Sequence, residues 1–455
     1  MNHYKVIVIG AGVGGLSAAA YLAKAGIETL VIEQTPFPGG RCYSRVINGA
    51  EYDIGALYIG DRVPQILGSV FGIDCRFKSY RIGIRIGDYL VSVPFDRRTL
   101  RELRQCQTPW RDILCFLAKV PRLYQRSYFN CHQSVGEVLE SLTSNDVIRQ
   151  IGYVLFGVSG VSPYRLPPRY LGMGRSAVGV ISGNPARFPG GNRQVADLLV
   201  NFIRQRGGQI MFEEKVEQIV FKDTLARGIA TNRGEYMAGF VISNADIKTT
   251  ILSMTNRETW REAYLAEIKA LKRPLQVVNV FLTISPSQEF LSEFGVFFMP
   301  EYPIGGFELL EAGQFPDKSM FVLSVPTNLE EDVAKCHRAT LQFYYPRGSV
   351  IPEALNRQVY RVMNDGLNRL FPGLSERVID YAVYDPARYE REFGFRPFVF
   401  GVSPDLDNRR FPRQTPVSNL FCVGDSVHPE MPSVPQAMES GIRCAREVLG
   451  QIAGD

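Results

Sequence analysis

The stretch from Lys5 to Glu33, KVIVIGAGVGGLSAAAYLAKAGIETLVIE, determines the fold that we expect for this chain. Its β-branched run at 6–9 predicts a buried strand, and the alanine-rich segment that follows predicts a helix to about Lys24. The motif GxGxxG stands between them, and a second apolar run at 29–32 ends in an acid. This order of strand, glycine turn, helix, strand and acid is the βαβ unit that binds dinucleotides.

The three glycines of the motif, Gly10, Gly12 and Gly15, have separate roles in such a unit. One makes the tight turn, one lets the backbone approach a pyrophosphate, and one lets the helix pack closely on the strand. The pyrophosphate lies at the helix N-terminus, where unpaired N–H groups and the helix dipole favour an anion. Glu33 stands about twenty residues further on, where a carboxylate accepts hydrogen bonds from a ribose. The motif alone does not distinguish NAD from FAD.

The composition limits the remaining possibilities. A chain of 455 residues predicts two or three domains, and 45% hydrophobic with 21% charged residues is ordinary for a globular protein. The net charge of +5 is too small and too dispersed to indicate nucleic-acid binding. The four histidines show no metal-ligand spacing, so we predict no metal site. No run of about twenty apolar residues is present, and we expect a cytoplasmic protein, with peripheral membrane contact as the alternative.

Two segments after Glu33 favour FAD over NAD. A loop rich in proline and glycine ends in Gly39-Gly40-Arg41, and a short strand with Asp53 leads into another glycine turn. A nicotinamide domain has no reason to follow its second strand with these two features. In flavoproteins with two dinucleotide-binding domains, Arg41 and the backbone after Asp53 would lie along the pyrophosphate and the flavin. The alternative interpretation is a surface loop and a hairpin.

The segment 97–128 differs from its surroundings because eight basic residues alternate with apolar and aromatic ones. A basic, aromatic, helical segment of this kind is able to lie on a membrane interface. An ordinary pair of amphipathic helices with a solvated basic face is the alternative. Helical patterning continues through 134–156, and prolines at 163, 167 and 168 end it.

The middle of the chain predicts a second sheet. A hairpin turning at Gly87-Asp88 comes first. A glycine turn, helix and strands at 188–221, together with a buried strand at 240–246 that stops at a small polar turn, return the chain to the first domain. Strands at 276–284, 295–299, 320–325, 341–345 and 379–384 then indicate a largely antiparallel sheet, with a helix near 351–370. Aromatic residues on these strands are candidates for a substrate tunnel, with plain core as the alternative: Phe297, Phe298, Phe343, Tyr344 and Tyr345.

The C-terminal part supplies a second place to hold a cofactor. The buried strand NLFCVGD ends at Asp425, and a helix with small residues on one side follows at 437–452. The carboxylate of Asp425 is suited to accept a hydrogen bond from a ribityl hydroxyl. Amides around Val434 are suited to face the edge of a flavin ring, because they begin a helix.

These segments together resemble the flavin amine oxidase and phytoene desaturase superfamily. They are most similar to its carotenoid branch of bacterial-type phytoene desaturases, carotenoid cis–trans isomerases and retinol saturase-like proteins. The resemblance implies an α/β fold: an FAD-binding Rossmann-like domain of the p-hydroxybenzoate hydroxylase type, built from three chain segments, plus an inserted α+β substrate domain with a largely antiparallel sheet and a helical lid. The expected boundaries are 1–80, 186–255 and 412–455 for the FAD-binding domain, 81–96 and 256–411 for the substrate domain, and 97–185 for a helical subdomain that is a candidate membrane-facing lid.

The resemblance also implies which residues would hold FAD without a covalent bond. The turn and Glu33 would hold the pyrophosphate and the adenosine ribose, Arg41 a phosphate, and Val216 the adenine through its backbone. Asp425 would bind the ribityl chain, and Val434 would meet the isoalloxazine. The full expected set is Gly10, Gly12, Val13, Gly14, Gly15, Glu33, Gln34, Gly40, Arg41, Gly55, Ala56, Leu57, Tyr58, Val216, Gly424, Asp425 and Val434.

The chain departs from the carotenoid branch near its C-terminus. A glycine-rich turn is usual there, whereas this chain has HPEMPSVP at 428–435, so we expect a differently shaped flavin face. Ser433 stands where amine oxidases place an aromatic cage residue, which argues against amine oxidation.

We therefore expect an FAD-dependent oxidoreductase that acts on a hydrophobic, isoprenoid or polyene substrate by hydride transfer to or from flavin N5, as a desaturase or a cis–trans isomerase. An oxidase of a smaller amine or amino-acid-like molecule is the first alternative. A non-catalytic flavin-binding partner protein is the second. The catalytic residues are unknown, with His428 and Glu439 as candidates, and no pattern specifies an oligomeric state.

Overall fold

Two seven-stranded sheets form the centre of the molecule. The computed structural model describes residues 2–121, 133–168, 185–286, 293–300, 305–329, 336–348, 350–427 and 433–454. Within this part of the chain, no helix is both long and apolar enough to cross a bilayer.

The first sheet is assembled from three separate stretches of the chain. Its strands are β1 (Asn2–Ile9), β2 (Thr29–Ile32), β10 (Gln209–Met211), β11 (Val216–Lys222), β12 (Leu225–Thr231), β13 (Gly234–Ser243) and β19 (Leu420–Cys422). The order is β10-β2-β1-β13-β12-β11, and β19 also pairs with β13. The pairs from β10 through β13, and β13 with β19, are parallel, whereas β11 and β12 form an antiparallel extension.

Alternating side chains of β1 enter two different cores. Val6 and Val8 pack beneath α1 (Val13–Lys24), the helix at Arg193–Arg204 and the C-terminal helix at Val434–Gly454. Ile7 and Ile9 face the opposite layer, which contains the helices Ile247–Ser253 and Glu262–Ala270. Helices on both faces explain the continuous apolar runs of these strands, because neither side of a parallel sheet is left to solvent.

The carboxyl ends of four parallel strands meet at one edge of this sheet. Ile9 is paired with Ile32 on one side and with Ser243 on the other, and Ser243 is paired with Cys422. The residues that follow these strands therefore lie close together. Ligands of open α/β sheets bind at this edge, so the topology indicates the functional site.

The second sheet carries the inserted strands. They are β7 (Arg81–Ile86), β8 (Tyr89–Val93), β14 (Gln276–Ile284), β15 (Phe294–Met299), β16 (Phe321–Ser324), β17 (His337–Tyr345) and β18 (Val378–Tyr384), in the order β18-β14-β17-β16-β15-β7-β8. All pairs are antiparallel except β15 with β7. One face is covered by helices at Pro352–Arg361 and Leu367–Leu370, joined by a π-helical turn at Val362–Gly366.

Four helices lie on the side of the other face and are numbered here α3 to α6. They are α3 (Arg97–Gln105), α4 (Trp110–Lys119), α5 (Val135–Leu142) and α6 (Asp146–Gly157); the short helix Arg62–Ile66 is α2. Helices α3, α4 and α6 pack against the sheet, and α5 packs against α6. Asp96 begins α3 and Ser134 begins α5, each through a capping box in which side chain and backbone exchange hydrogen bonds. The remaining α-helices of the described residues are Gly306–Glu311 and Pro386–Phe393. One small sheet pairs β3 (Ser44–Ile47) with β4 (Ala50–Asp53). A second pairs β9 (Pro185–Arg187) with β5 (Ile59–Gly60) and β6 (Lys78–Ser79).

The fold class predicted from the sequence is confirmed, including the FAD-type Rossmann domain of three segments and the largely antiparallel second sheet. Two details differ. The helical stretch predicted at 134–156 is two helices separated near Thr143, and the helix predicted near 351–370 is interrupted by the π-helical turn. The hairpin of β12 and the first half of β13 was not predicted, because its small residues carry little strand signal.

Candidate functional site

The glycine turn after β1 leaves the N-terminus of α1 open. Gly12 is the first, non-helical residue, no side chain caps the helix, and its first turn contains no acid. A β-carbon at Gly15 would lie 2.3 Å from the carbonyl oxygen of Gly10, so only glycine fits there. Gly10 itself has a φ of +90°. The free N–H groups at this end of α1, beside buried Val13, suit an anion such as a pyrophosphate.

Glu33 lies beside this turn, where the sequence predicted a ribose ligand. Its carboxylate is buried and accepts hydrogen bonds from the backbone N–H of Ala11 at 2.7 Å and of Thr35 at 2.9 Å. Burial raises the pKa of Glu33, and the hydrogen bonds from Thr35 and Ala11 oppose that rise. Gln34 is exposed and reaches the carbonyl oxygen of Gly394, so it lies at the surface next to the carboxylate.

The loop that contains Gly39 and Gly40 lies against the glycine turn. The N–H of Gly39 donates to the carbonyl of Ala11 at 2.7 Å, and a β-carbon at Gly40 would lie 3.7 Å from Cα of Gly12. Both loop glycines have positive φ, of +96° and +56°. The two motifs that are separated in sequence are therefore adjacent, as their predicted common ligand requires.

Arg41 and Asp425 lie together and form an ion pair with an N–O distance of 2.8 Å. Arg41 Nη1 also donates to the carbonyl of Val399 at 3.2 Å, and Asp425 accepts from the N–H of Gly401 at 3.2 Å. The sequence predicted a phosphate contact for one residue and a ribityl contact for the other. The structure adds a third segment, 398–401, that joins the two, and sequence reasoning missed it because its residues carry no motif.

The predicted flavin-facing turn, Gly55 to Tyr58, is fixed at its first two residues. A β-carbon at Gly55 would lie 2.0 Å from the carbonyl oxygen of Arg41, and the N–H of Ala56 donates to that oxygen at 2.8 Å. Asn192 is fully buried, and its Nδ2 donates to the carbonyl of Ala56 at 2.5 Å. The turn is therefore held by backbone contacts and one buried amide.

Asp53, just before this turn, is the centre of a buried polar network. Its side chain is 2% exposed and pairs with Arg187. It also accepts from Ser44 Oγ at 2.6 Å and from the N–H of Asn192 at 3.1 Å. The FPGGN segment that ends at Asn192 was recognised in the sequence, but this function of Asn192 was not predicted, because it depends on a contact across 139 residues.

Leu57 and Tyr58 connect the turn to a large apolar cluster. The ring of Tyr58 stands edge-on to Phe298 at 6.0 Å, and burial raises the pKa of the Tyr58 hydroxyl to about 12. We call this the lid-side cluster: it joins Leu57 and Tyr58 to buried side chains of β7, β8, β15 and β16 and of helices α3, α4 and α6. Of the tunnel candidates, Phe298 lies in this cluster, whereas Phe297 and Phe343 pack into the core on the opposite face of the sheet.

The other predicted cofactor residues are distributed along the same edge. Val216 opens β11, two residues after Glu214, whose N–H donates to the carbonyl of Glu33 at 2.9 Å. Gly424 has a φ of +99°, and its N–H donates to Ser440 Oγ at 3.2 Å. Val434 is the first residue of the C-terminal helix, here numbered α14.

The catalytic candidates gain no support from the contacts. His428 lies outside the described residues. Glu439 pairs with Arg62 at 3.1 Å and with Arg443 at 3.5 Å, so the observed partners of its carboxylate are surface arginines. Within the described ranges, no group of three or more His, Cys, Asp or Glu side chains is placed to hold a metal ion.

Two buried polar atoms without partners among the described residues lie beside predicted flavin contacts. Asn192 Oδ1 and Ser433 Oγ are buried, and neither has a hydrogen-bond partner in the described part of the chain. Each belongs to a residue adjoining a predicted flavin contact, Ala56 and Val434 respectively. Buried polar groups without partners are costly, so a ligand that supplies partners would stabilise them. Together with the open helix end and the glycine cradle, these residues fit FAD.

Comparisons with known proteins agree with this geometry. The model of the NAD(P)-binding Rossmann-like domain matches residues 8–66. The chain is 24% identical to prolycopene isomerase 1 of an Oncidium hybrid cultivar, over 99% of this chain and 84% of that protein. It is 22% identical to a phytoene desaturase of Neurospora crassa, over 97% of this chain and 84% of that protein.

Solved structures have the same fold. An oxidoreductase from Methanosarcina mazei superposes with a TM-score of 0.75 at 20% identity, covering 97% of this chain and all of the other. A putrescine oxidase bound to putrescine superposes with a TM-score of 0.66 at 17% identity, covering 98% and 99%. The sequence relatives confirm the resemblance to the flavin amine oxidase and phytoene desaturase superfamily, and the solved structures confirm the fold.

Proposed function

We propose that this chain, an FAD-dependent oxidoreductase of the flavin amine oxidase and phytoene desaturase superfamily, acts on a hydrophobic isoprenoid or polyene substrate. The reaction would be a desaturation or a cis–trans isomerisation. FAD would be bound without a covalent bond, through the glycine turn, Glu33, Arg41, the 55–58 turn, Asp425 and the start of α14. When bound, FAD supplies a hydride acceptor or donor at N5 of its ring.

The proposal rests on one observation: Tyr58, an expected flavin neighbour, packs against the apolar side chains of the lid-side cluster. The expected flavin neighbours Leu57 and Tyr58 adjoin Val296, Phe298 and Val322 of the second sheet. A polyene offers no charge and few hydrogen-bonding groups, so apolar surroundings next to the flavin match its chemistry. A small amine would instead need a polar or charged group there, and Ser433 replaces the aromatic cage of amine oxidases.

The residues of the chain position and shield the reaction. Asp53 and Asn192 fix the turn that carries Leu57 and Tyr58, and the apolar side chains beyond them exclude water. The high pKa of Tyr58 keeps its hydroxyl protonated at neutral pH, so Tyr58 is available as a hydrogen-bond donor and not as a base.

Co-expression in a bacterium that produces phytoene or lycopene tests the substrate class. We expect an altered pigment profile in the presence of this chain and a smaller alteration with the Arg41→Ala variant, whose FAD affinity should be lower. An unchanged profile with soluble, flavin-loaded protein would contradict the proposal. Bleaching of the bound flavin by a diamine such as putrescine under anaerobic conditions would instead support the amine oxidase alternative.

We further propose that α4 contacts an anionic membrane. Trp110, Leu114 and Leu117 are 49%, 60% and 38% exposed and follow one another at helical spacing on the outer side of α4, whereas Ile113 on its inner side packs in the lid-side cluster. Arg104 of α3 lies over the ring of Trp110, and further exposed basic residues are on the same two helices: Arg97, Arg101 and Arg111. Apolar side chains bordered by cations suit the interface of a bilayer with anionic lipids, where a hydrophobic substrate would be dissolved.

Sedimentation with vesicles tests this contact. Binding to phosphatidylserine vesicles should fall for Leu114→Ser with Leu117→Ser and remain for Ile379→Ser, which changes an equally exposed residue on β18. Equal binding of both variants would contradict the proposal.

A further inference from the structure

Asn244 occupies a position between the two predicted cofactor-binding segments. It is the first residue after β13, and its N–H donates to the carbonyl of Ile9 at 2.7 Å. On the other side, the N–H of Val423 donates to the carbonyl of Ser243 at 2.8 Å. The glycine turn after β1 and the Gly424 segment after β19 therefore flank Asn244, and strand pairing fixes its backbone.

The side-chain amide of Asn244 points into the space between three glycines. A β-carbon at Gly12 would lie 2.4 Å from Asn244 Nδ2, and one at Gly14 would lie 2.6 Å from Oδ1. A β-carbon at Gly424 would lie 3.0 Å from Asn244 Oδ1. The three glycines, all of them in the expected FAD-binding set, thus surround one amide that was not in that set.

The Asn244 amide differs from the polar side chains around it because it makes no hydrogen bond to the described residues. Asn244 is half-buried, and its side chain has no hydrogen-bond partner in the part of the chain that the structure describes. Nearby polar side chains are engaged: Ser243 Oγ contacts Thr250 Oγ1 at 2.8 Å, and Asp246 accepts from Thr249. Nδ2 is on the side of the uncapped start of α1, so amide donors from two sources lie close together there.

We propose that Asn244 is a further residue that positions the dinucleotide, by donating from Nδ2 to its pyrophosphate. The inference rests on the proposed FAD dependence. It assigns to Gly12 a second role: this glycine leaves room for the Asn244 amide as well as for the phosphate. A neutral amide adds a donor without a charge, so it complements the N–H groups of α1 next to an anion.

Titration of the purified protein with FAD, followed by flavin fluorescence, measures the contact directly. Asn244→Ala should raise the Kd about 10- to 100-fold, which is the value of a hydrogen bond to a charged group. Asn244→Asp should raise it further, because a carboxylate would face the phosphates. Asn201→Ala and Asn201→Asp, which change an exposed residue of the helix Arg193–Arg204, should leave it within twofold.

ADP identifies the part of the cofactor that Asn244 contacts, because it contains the diphosphate without the flavin. Competition experiments should give Asn244→Ala the same loss of affinity for ADP as for FAD. A loss for FAD with unchanged ADP binding would overturn the pyrophosphate assignment.

A double-mutant cycle with Gly12 tests the geometry. Gly12 has a φ of −67°, which alanine adopts freely, and only atoms of Asn244 lie within 4 Å of the added β-carbon. Gly12→Ala should therefore weaken FAD binding at least tenfold in the parent and by a clearly smaller factor in the Asn244→Ala background, where only the phosphate still needs the space. An equal loss in both backgrounds would show that the phosphate alone requires the glycine and would overturn the inference.

The outcomes also separate this inference from the proposed function. If the parent protein binds no FAD, both the proposed function and the role proposed for Asn244 are wrong. If the parent binds FAD, the Asn244 variants bind it equally well, and the apo-proteins have equal melting temperatures, only the role proposed for Asn244 is wrong. Where Asn244→Asp does not fold, Asn244→Ala and Asn244→Ser provide the same comparison.

Discussion

The cofactor side and the substrate side of this molecule are built in different ways. The edge of the first sheet is held by backbone groups, glycines and a few polar side chains, such as the pair of Arg41 with Asp425, at defined distances. The lid-side cluster on the second sheet is a continuous set of apolar side chains with few directional contacts. A dinucleotide has fixed hydrogen-bonding groups, so its site requires particular residues, whereas an apolar substrate requires mainly volume and the exclusion of water.

The largest effect that distinguishes the two sides should come from Asp53→Ala. The change leaves Arg187 buried without its carboxylate, and breaking a buried pair costs about 3–5 kcal/mol. We expect urea denaturation to show this loss together with weaker FAD binding. Asp317→Asn, which changes an exposed partner of Arg361, should cost less than about 1 kcal/mol. Equal losses in the two variants would contradict the described network.

Arg41→Ala should have the next largest effect, and it should act on the cofactor. Three contacts of the guanidinium are lost, to Asp425 and to the carbonyls of Phe398 and Val399, and the FAD affinity should fall about 10- to 100-fold. Arg257→Ala, which removes an exposed pair with Glu262, is the control. FAD affinity is measured by flavin fluorescence. An unchanged FAD affinity in Arg41→Ala would show that Arg41 does not contribute to the cofactor site.

Tyr344→Phe should destabilise the substrate side alone. The buried hydroxyl donates to the carbonyl of Gly157 at 2.9 Å and accepts from the N–H of Gly160 at 3.2 Å, which attaches the end of α6 to β17. Loss of both bonds should lower the free energy of unfolding by about 1–3 kcal/mol. FAD affinity should remain within twofold of the parent value. A tenfold change would contradict the claim that the cofactor side and the substrate side are built independently.

Phe298→Leu should affect the substrate while the fold hardly changes. The replacement keeps an apolar side chain but removes ring volume from a fully buried position, so the cost in stability should be about 1–2 kcal/mol. The lost edge-on contact with Tyr58 changes the shape next to the expected flavin position, and we expect a shifted pigment profile on co-expression. Phe297→Leu, on the opposite face of the same strand, is the control and should leave the profile as it is.

The smallest effect concerns pH and His337, the first residue of β17. Burial lowers the pKa of His337, so the unfolded chain binds its proton more readily than the folded chain. The contribution to stability is therefore complete above about pH 6.5 and is lost as the pH falls below it, by at most about 1.4 kcal/mol per pH unit. Urea denaturation between pH 5 and pH 8 should show a shallower dependence for His337→Gln than for the parent, with FAD affinity equal in both.

The same contrast explains what the sequence revealed. The βαβ unit, GGR and the VGD strand were predictable, because a phosphate at a helix end and a ribose at a strand end require fixed residue types at fixed spacing. The pairing of Arg41 with Asp425, 384 residues apart, was not predictable from either motif.

Asn192 and Asn244 were missed for different reasons. Asn192 acts through contacts with Asp53 and Ala56 that exist only in the folded chain. Asn244 had a usable signal: it directly follows a buried parallel strand, and the ends of such strands meet at the ligand-binding edge. The lid-side cluster carried no such signal, because apolar residues in strands and helices predict burial equally well with or without a substrate.

The central claim is that FAD on the first sheet faces an apolar substrate on the second. Incubation of the purified, FAD-loaded protein with vesicles carrying phytoene or poly-cis lycopene, followed by chromatography of the extracted pigments, tests it most directly. The account predicts conversion of at least one polyene by the parent protein and less conversion by Arg41→Ala at the same limiting FAD concentration. Unchanged polyenes in every vesicle, together with reduction of the bound flavin by an amine, would contradict it.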